Sequence, residues 1–124
     1  MKFLVLIYPD PEKLDAMPAT EFASTMRECL AHADQLRARG KLLDTRMLQP
    51  ASTARTLRKK AGELTITDGP FAETKEVLGG FNVVEAETLD EAVQIAAEFP
   101  WTEVGSVEVR PILAVEEMRA CVGA

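Results

Sequence analysis

The hydrophobic positions of this 124-residue chain fall into two kinds of pattern. Residues 2–8 are almost continuously apolar, which is typical of a central strand buried within a sheet. Residues 9–17 contain two prolines and three acids, and they predict a turn. From 19 to 39 the apolar side chains recur every three or four positions. A long amphipathic helix is therefore expected there, with Gly40 following its last turn.

Shorter patterns in the rest of the chain predict five more strands and a second helix. The strands are expected at 42–48, 54–60, 63–68, 80–86 and 107–111. The second and third of them flank Ala61-Gly62, which predicts a β-hairpin with one exposed, basic strand. Thr88 followed by Glu91 has the spacing of a capping box and predicts the start of the second helix, which Pro100 ends.

The predicted elements run in the order β-α-β, β-hairpin, β-α-β. This order predicts an α+β fold, a ferredoxin-like sandwich with an extra β-hairpin, over residues 1–112. The tail over 113–124 has helical character but few anchors, so it either frays or packs at a dimer interface. Because both faces of the first strand are apolar, something must cover the second face of the sheet. A second copy of the chain is the simplest cover, and a homodimer is predicted.

Charge and composition narrow the class of function. The chain has 14 basic and 20 acidic residues, a net charge of −6, and an acidic surface disfavours direct nucleic-acid binding. No apolar run is long enough for a signal peptide or a membrane helix. Two distant cysteines indicate neither a disulfide framework nor a zinc site. We therefore expect a cytoplasmic protein without membrane contact, and no motif points to a cofactor.

The segment DGPFAETKEVLGGF, residues 68–81, carries the most information. Its first three residues predict a turn, and Phe71 is an apolar anchor directly after that turn. Gly79 and Gly80 have no side chains and stand where a predicted strand begins. This permits a bulge, or a close approach of backbone or ligand. This segment resembles the signature of the DGPF group of the YCII-related domain family. Further resemblance lies in MKFLVLIY at 1–8, in Leu48-Gln49-Pro50 with Thr53-Ala54, and in GSVEVRPI at 105–112.

The resemblance implies a dimeric α/β barrel, in which two ferredoxin-like sheets pack face to face with a small-molecule cleft beside each sheet. The family's biochemical activity is largely unassigned. Some members of the wider family are similar to cofactor-independent enzymes such as muconolactone isomerases and use a His-Asp pair. Members of the DGPF group are often encoded beside extracytoplasmic-function sigma factors, which implies an accessory role. His32 is the only histidine here and lies closer to Gly40 than the family's helix histidine, so this pair does not carry over.

The residues that we expect to bind a ligand are Asp68, Phe71, Glu73, Lys75, Gly79, Gly80 and Arg110. Asp68 is the candidate general base or binds a ligand amine; the alternative is an Asx-type turn that stabilises its own corner. Lys75 binds an anionic group or pairs with Glu73 or Glu76 as a surface ion pair. The three carboxylates of this segment offer oxygen atoms to a hard cation, but nothing fixes their geometry, so no metal is predicted.

Three side chains outside this segment also need an interpretation. Arg110 stands within a strand, where it is either an anion clamp in the cleft or the ion-pair partner of Glu108 on the same face. His32 sits beside the apolar stripe of its helix and is expected to be an ordinary boundary histidine. Cys29 falls on that stripe and is expected to be inert.

Three functions remain as hypotheses. The first is a protein that binds a small polar or anionic molecule in a cleft lined by the DGPF segment, as an accessory to a sigma factor. The second is a cofactor-independent lyase, isomerase or hydrolase with Asp68 as its base. The third is a protein-interaction module that uses the basic hairpin edge, residues 55–60.

Overall fold

The computed structural model describes residues 1–72 and 74–124, so Glu73, one of the predicted ligand residues, lies outside the described residues. Six strands and four helices are described. The strands are β1 Lys2–Pro9, β2 Leu42–Met47, β3 Arg55–Lys60, β4 Glu63–Asp68, β5 Gly80–Glu85 and β6 Gly105–Pro111. The helices are α1 Pro11–Ala16, α2 Ala19–Ala38, α3 Leu89–Ala97 and α4 Val115–Val122, with single 3₁₀ turns at Ala51–Thr53 and Pro100–Glu103.

The main sheet has four antiparallel strands in the order β2-β5-β1-β6. With α2 between β1 and β2, and α3 between β5 and β6, this is the ferredoxin-like order. Strands β3 and β4 pair only with each other and form a separate two-stranded sheet. The α+β ferredoxin-like fold with an extra hairpin is therefore confirmed.

The core lies between the main sheet and the two long helices. Alternate residues of the central strand β1 point into it, and Phe3 and Val5 are only 1% and 2% exposed. Leu36 from α2 and Ile95 from α3 belong to the same buried cluster. Both long helices therefore cover one face of the sheet.

Local sequence explains where α3 begins. The Thr88 side chain accepts a hydrogen bond from the Glu91 amide at 3.1 Å, and the Glu91 carboxylate accepts one from the Glu87 amide at 2.9 Å. These bonds satisfy amide groups that the first turn leaves free. Glu91 also accepts a bond of 2.8 Å from Lys41, just before β2. The cap therefore joins α3 to the neighbouring edge of the sheet.

The prediction of a simple turn at residues 9–17 is wrong, because this segment contains the short helix α1. Asp10 caps it, accepting a hydrogen bond from the Glu12 amide at 3.0 Å, and Pro11 occupies its first position. Proline is favoured there because its missing N–H needs no partner in the first turn. The same residue types favour turns, and this ambiguity explains the error.

The β3–β4 hairpin stands away from the main sheet. Ala61 and Gly62 connect its strands with φ of 52° and 82°, both in the left-handed region that a type I′ turn requires. Leu57 and Ile66 pair across the hairpin, and each is 59% exposed. A two-stranded hairpin alone is marginally stable in water. Within the described part of the chain, this apolar hairpin face therefore lacks the cover that the main sheet receives from helices.

The face of the main sheet opposite the helices is also open. Its centre is made of partly exposed apolar residues, which are Leu4, Leu6, Tyr8, Phe81 and Val83. We call this surface the bare face. The tail predicted to be helical forms α4, whose apolar residues Val115, Met118 and Val122 are exposed. None of the described helices is both long and apolar enough to cross a membrane.

Candidate active-site cleft

A cleft of about 610 Å³ opens between α2 and the end of the sheet where β1 finishes and β5 begins. We call it the helix–sheet cleft. Its walls are mostly apolar, and the large side chains among them include Phe22, Met26, Leu30, Leu48, Leu78, Phe99 and Trp101. Concave, largely apolar sites of this size are where proteins bind small molecules. The end of the DGPF segment, from Val77 to Gly80, forms one side of it.

The two glycines of that segment are required by close backbone approach. A Cβ atom on Gly80 would lie 2.6 Å from the carbonyl oxygen of Arg46 on β2, and one on Gly79 would lie 2.8 Å from the Pro9 ring. Both distances are shorter than atoms tolerate. Gly79 and Gly80 therefore let the segment enter β5 directly beside the cleft, in agreement with the close approach expected from the sequence.

Two side chains fasten the segment to the end of β1 and the start of β6. Lys75 Nζ lies 3.7 Å from the Oδ2 atom of Asp10, which is almost fully buried. The Ser106 hydroxyl donates to the Glu76 carboxylate at 2.8 Å. The Gly79 amide also donates to the Ile7 carbonyl at 2.8 Å. Lys75 thus has an acidic partner that the sequence did not indicate, although the lysine is mostly exposed and such a contact contributes little stability.

A cysteine and a tryptophan meet in another wall. Cys29 on α2 is buried and free, and its thiol is hydrogen-bonded to Trp101. Burial raises the pKa of the Cys29 thiol, the Trp101 bond lowers it by less, and Glu28 adds a small rise. The thiolate is the nucleophilic form of cysteine, so this environment disfavours reaction. The expectation of an inert Cys29 agrees with these contacts.

The floor of the cleft holds a polar pair that sequence reasoning missed. Asn82 on β5 is 4% exposed and lines the cleft, and Thr45 on β2 is its cross-strand partner. The signal was present in the sequence, because Asn82 is the one amide in the apolar run of residues 80–84. Alternation of polar and apolar residues assigns such a position to the solvent side of a strand. Here it faces inward.

A second cleft of about 620 Å³ lies on the other side of the same segment. Tyr8, Pro70, Phe71 and Glu76 line it, together with parts of the loop 48–51 that also borders the helix–sheet cleft. Phe71 is 76% exposed. Of the predicted ligand residues of the DGPF segment, Phe71 therefore lines one cleft and the two glycines line the other, whereas Asp68 and Lys75 line neither.

Neither Asp68 nor Arg110 lines either cleft, although Arg55, the ion-pair partner of Asp68, borders the second. Asp68 ends β4, where its Oδ1 atom is 3.2 Å from Arg55 Nε and its side chain is highly exposed. Arg110 projects from the bare face of β6, with its Nε atom 3.9 Å from the Glu108 carboxylate. The structure does not bring these two residues together with Lys75 or the glycines. It places each of them in an exposed ion pair.

His32 belongs to the packing of the two long helices. Its ring makes an edge contact with Phe99, with centroids 4.7 Å apart. Its Nε2 atom is 3.0 Å from a carboxylate oxygen of Glu98, but the alignment is not that of a hydrogen bond. His32 does not line the helix–sheet cleft. Over the described residues, no cluster of three or more His, Cys, Asp or Glu side chains could hold a metal ion.

Comparisons with known proteins agree with this fold. The model of the YCII-related domain matches residues 1–116. An uncharacterised protein of Rhizobium meliloti strain 1021 is 40% identical over 114 residues, which span 90% of this chain and 92% of the relative.

Among solved structures, 5-chloro-2-hydroxyhydroquinone dehydrochlorinase from Burkholderia phenoliruptrix AC1100, in complex with 2,5-dihydroxybenzoquinone, superposes with a TM-score of 0.54. The two chains are 20% identical, and the match covers 94% of this chain and 98% of the other. This likeness supports the fold. The family model and the Rhizobium relative together show that the chain belongs to the YCII-related domain family.

Proposed function

We propose that this protein binds a small, mainly apolar molecule in the helix–sheet cleft. The observation that carries the proposal is the cleft itself, about 610 Å³ in volume, lined by apolar residues of α2 and closed on one side by the fastened DGPF segment. An open apolar surface of this kind is costly in water unless a ligand or partner covers it.

The sequence predicted a polar or anionic ligand held by Asp68 and Arg110. The placement of these residues favours a different ligand for the helix–sheet cleft, because neither Asp68 nor Arg110 lines it, and Arg55, the ion-pair partner of Asp68, borders only the second cleft. The fold neighbour was solved in complex with 2,5-dihydroxybenzoquinone, and this supports a ring compound as the ligand. The lyase alternative and the sigma-factor partner stay predictions.

Fluorescence binding with N-phenyl-1-naphthylamine tests the proposal. The dye emits strongly in apolar surroundings, and we expect saturable binding by the wild-type protein. Ala33 lines the cleft from α2, so Ala33→Phe fills it and should reduce the affinity at least about tenfold, since it displaces ligand contact area. Ala31→Phe is the matched control, because Ala31 is an exposed residue of the same helix. Equal binding by wild type and Ala33→Phe contradicts the proposal.

We also propose that the protein is a homodimer joined through the bare face. Two observations support this interface: the apolar centre of the bare face, around Leu6, and the charged residues at its two edges. Asp44 and Arg46 lie on the β2 edge, and Glu108 and Arg110 lie on the β6 edge. A second copy turned about an axis along the strands brings a β2 edge over a β6 edge, where opposite charges can pair.

Native mass spectrometry and sedimentation test the dimer. Leu6→Glu places a charge at the centre of the bare face and should give monomers, because an unpaired charge is costly to bury. Leu57→Glu is the control, since Leu57 is an exposed apolar residue of the hairpin. A wild-type monomer at micromolar concentration, or a dimer that survives Leu6→Glu, contradicts this interface. If only Leu57→Glu dissociates the dimer, the hairpin is the interface instead.

A further inference from the structure

We propose that Asn82, with Thr45 beside it, selects a ligand that carries a neutral hydroxyl or carbonyl group on a ring. The inference rests on the proposed function of the helix–sheet cleft and names the ligand class and the residues that recognise it. It is carried by one feature: a buried carboxamide that opens into an otherwise apolar cleft without a hydrogen-bond partner among the described residues.

The burial of Asn82 gives its amide few possible partners. The side chain points to the covered face of the sheet, between the buried residues Gly80 and Val84. No hydrogen bond among the described residues involves its amide. The only polar side-chain atom among them that is both sealed from solvent and unbonded is His32 Nε2. The Asn82 amide therefore opens into the cleft that it lines.

An amide that opens into the cleft constrains which ligand can enter. A ligand displaces solvent from this amide, and a ligand without a hydrogen-bonding group leaves the amide buried and unpaired, which costs free energy. An apolar residue here would impose no such penalty on apolar ligands, and the neighbouring positions of β5 are apolar. A polar group placed in an apolar pocket fixes the orientation of a ligand and gives specificity.

The pair offers both kinds of hydrogen bond. The Asn82 carboxamide has an N–H₂ donor and a carbonyl acceptor, and the Thr45 hydroxyl donates and accepts. The two residues are directly opposite on β5 and β2, and both line the cleft. Opposite residues of an antiparallel pair have Cβ atoms about 5 Å apart. A single hydroxyl or carbonyl oxygen of a ligand can therefore reach both side chains.

The charges around the cleft favour a neutral group at its floor. Asp15 and Arg46 are the charged residues among its walls, and both are exposed; Arg46 pairs with Phe81, so its side chain lies on the bare face. Lys75, the nearest cation of the DGPF segment, lies against Asp10 and does not border the cleft. A carboxylate on the floor would be buried without a cation, which is prohibitive. A hydroxyl or carbonyl needs no counter-charge.

The walls favour a flat ring as the body of the ligand. Three aromatic side chains, those of Phe22, Phe99 and Trp101, border the cleft. Aromatic side chains pack well against the faces and edges of other rings. A ring with one polar substituent thus fits both parts of the site, the apolar walls and the polar floor.

The test uses three compounds that share one ring system: naphthalene, 1-naphthol and 1-naphthoate. Their affinities are measured by displacement of N-phenyl-1-naphthylamine from wild type and from Asn82→Leu. Leucine matches the size of asparagine and removes both polar atoms. We expect the ratio of 1-naphthol affinity to naphthalene affinity to fall about tenfold in Asn82→Leu, while naphthalene binding is kept or improved.

Thr45→Val is a second variant that preserves side-chain shape, and it should lower the same ratio about threefold. Retained naphthalene binding shows that each variant is folded with an intact cleft. In wild type, 1-naphthoate should bind no more tightly than naphthalene. If naphthalene and 1-naphthol both bind but the ratio of their affinities is unchanged by Asn82→Leu, this inference is overturned and the proposed function stands. If the wild type binds neither the dye nor any of the three compounds, both fail.

Discussion

The two faces of the main sheet are formed by the same strands but have different surroundings, as the central strand β1 shows. On β1, Phe3, Val5 and Ile7 are buried beneath the long helices, whereas Leu4 and Leu6 on the opposite side remain partly exposed. Both sets are equally apolar in the sequence. The difference teaches that apolar character alone does not show what covers a surface. The covered face is packed against helices of the same chain, and the bare face has no such cover among the described residues.

Truncation of one side chain on each face tests this comparison with the largest expected effect. Phe3→Ala should lower the free energy of unfolding by about 3–5 kcal/mol, because it leaves a cavity in the core. Leu6→Ala should lower the free energy of unfolding by only about 1 kcal/mol at high dilution, since the Leu6 side chain is already partly exposed. Urea unfolding at several protein concentrations measures both. The cost of Leu6→Ala should grow with concentration if the bare face joins two copies, and a concentration-independent cost contradicts the dimer.

The two cysteines report how well the helices cover their side of the sheet. Cys29 is buried on α2 with its pKa raised, and Cys121 on α4 is exposed. We expect a thiol reagent at neutral pH to modify Cys121 about a hundredfold faster than Cys29. Mass spectrometry after timed labelling, with Cys121→Ser as the single-site control, gives the two rates. Similar rates would mean that the covered face opens readily.

Gly80→Ala sharpens the comparison at the border of the covered face. The added Cβ atom would collide with the Arg46 carbonyl, a backbone atom that cannot move without disturbing the β2–β5 pairing. We expect a loss of about 2 kcal/mol in unfolding free energy. Gly79→Ala is the matched control, because its Cβ atom would meet the Pro9 ring and the segment can shift there more easily. An equal loss for both variants contradicts this account.

The smallest expected effect concerns pH and the cap of α3. The Lys41 hydrogen bond, aided by the Glu87 amide, lowers the pKa of the Glu91 carboxyl. A carboxyl whose pKa is lowered by folding stabilises the protein above its ordinary pKa, and this contribution is lost as the pH falls through the folded value. Glu91→Gln should therefore lower the melting temperature at pH 7, and the difference should close in acid. Glu87→Gln, which leaves the Glu87 amide in place, is the control.

The sequence predicted those parts of the fold that depend on neighbours along the chain. The cap of α3 at Thr88 and the turn at Ala61-Gly62 both formed as expected, since a few adjacent residues determine each of them. The helix α1 was missed because Asp10 and Pro11 favour turns and helix starts alike.

The site was less predictable because its contacts join distant residues. The pairing of Lys75 with Asp10 joins residues separated by more than half the length of the chain. No local pattern reveals it. The inward direction of Asn82 depends on the register of β5 beside β1 and β2. A polar residue within a strand is assigned to solvent by alternation, and only the packed sheet shows that it faces a cleft.

The turn at Ala61-Gly62 makes the β3–β4 hairpin a convenient place to cut or extend the chain. Both strands are exposed along nearly their whole length, and the turn lies about 20 Å along the hairpin from its base. Surface turns of this kind tolerate inserted sequence. A short peptide carrying a fluorophore, spliced between Ala61 and Gly62, would leave the core untouched. Energy transfer between two such labels would then follow the assembly of the protein in living cells.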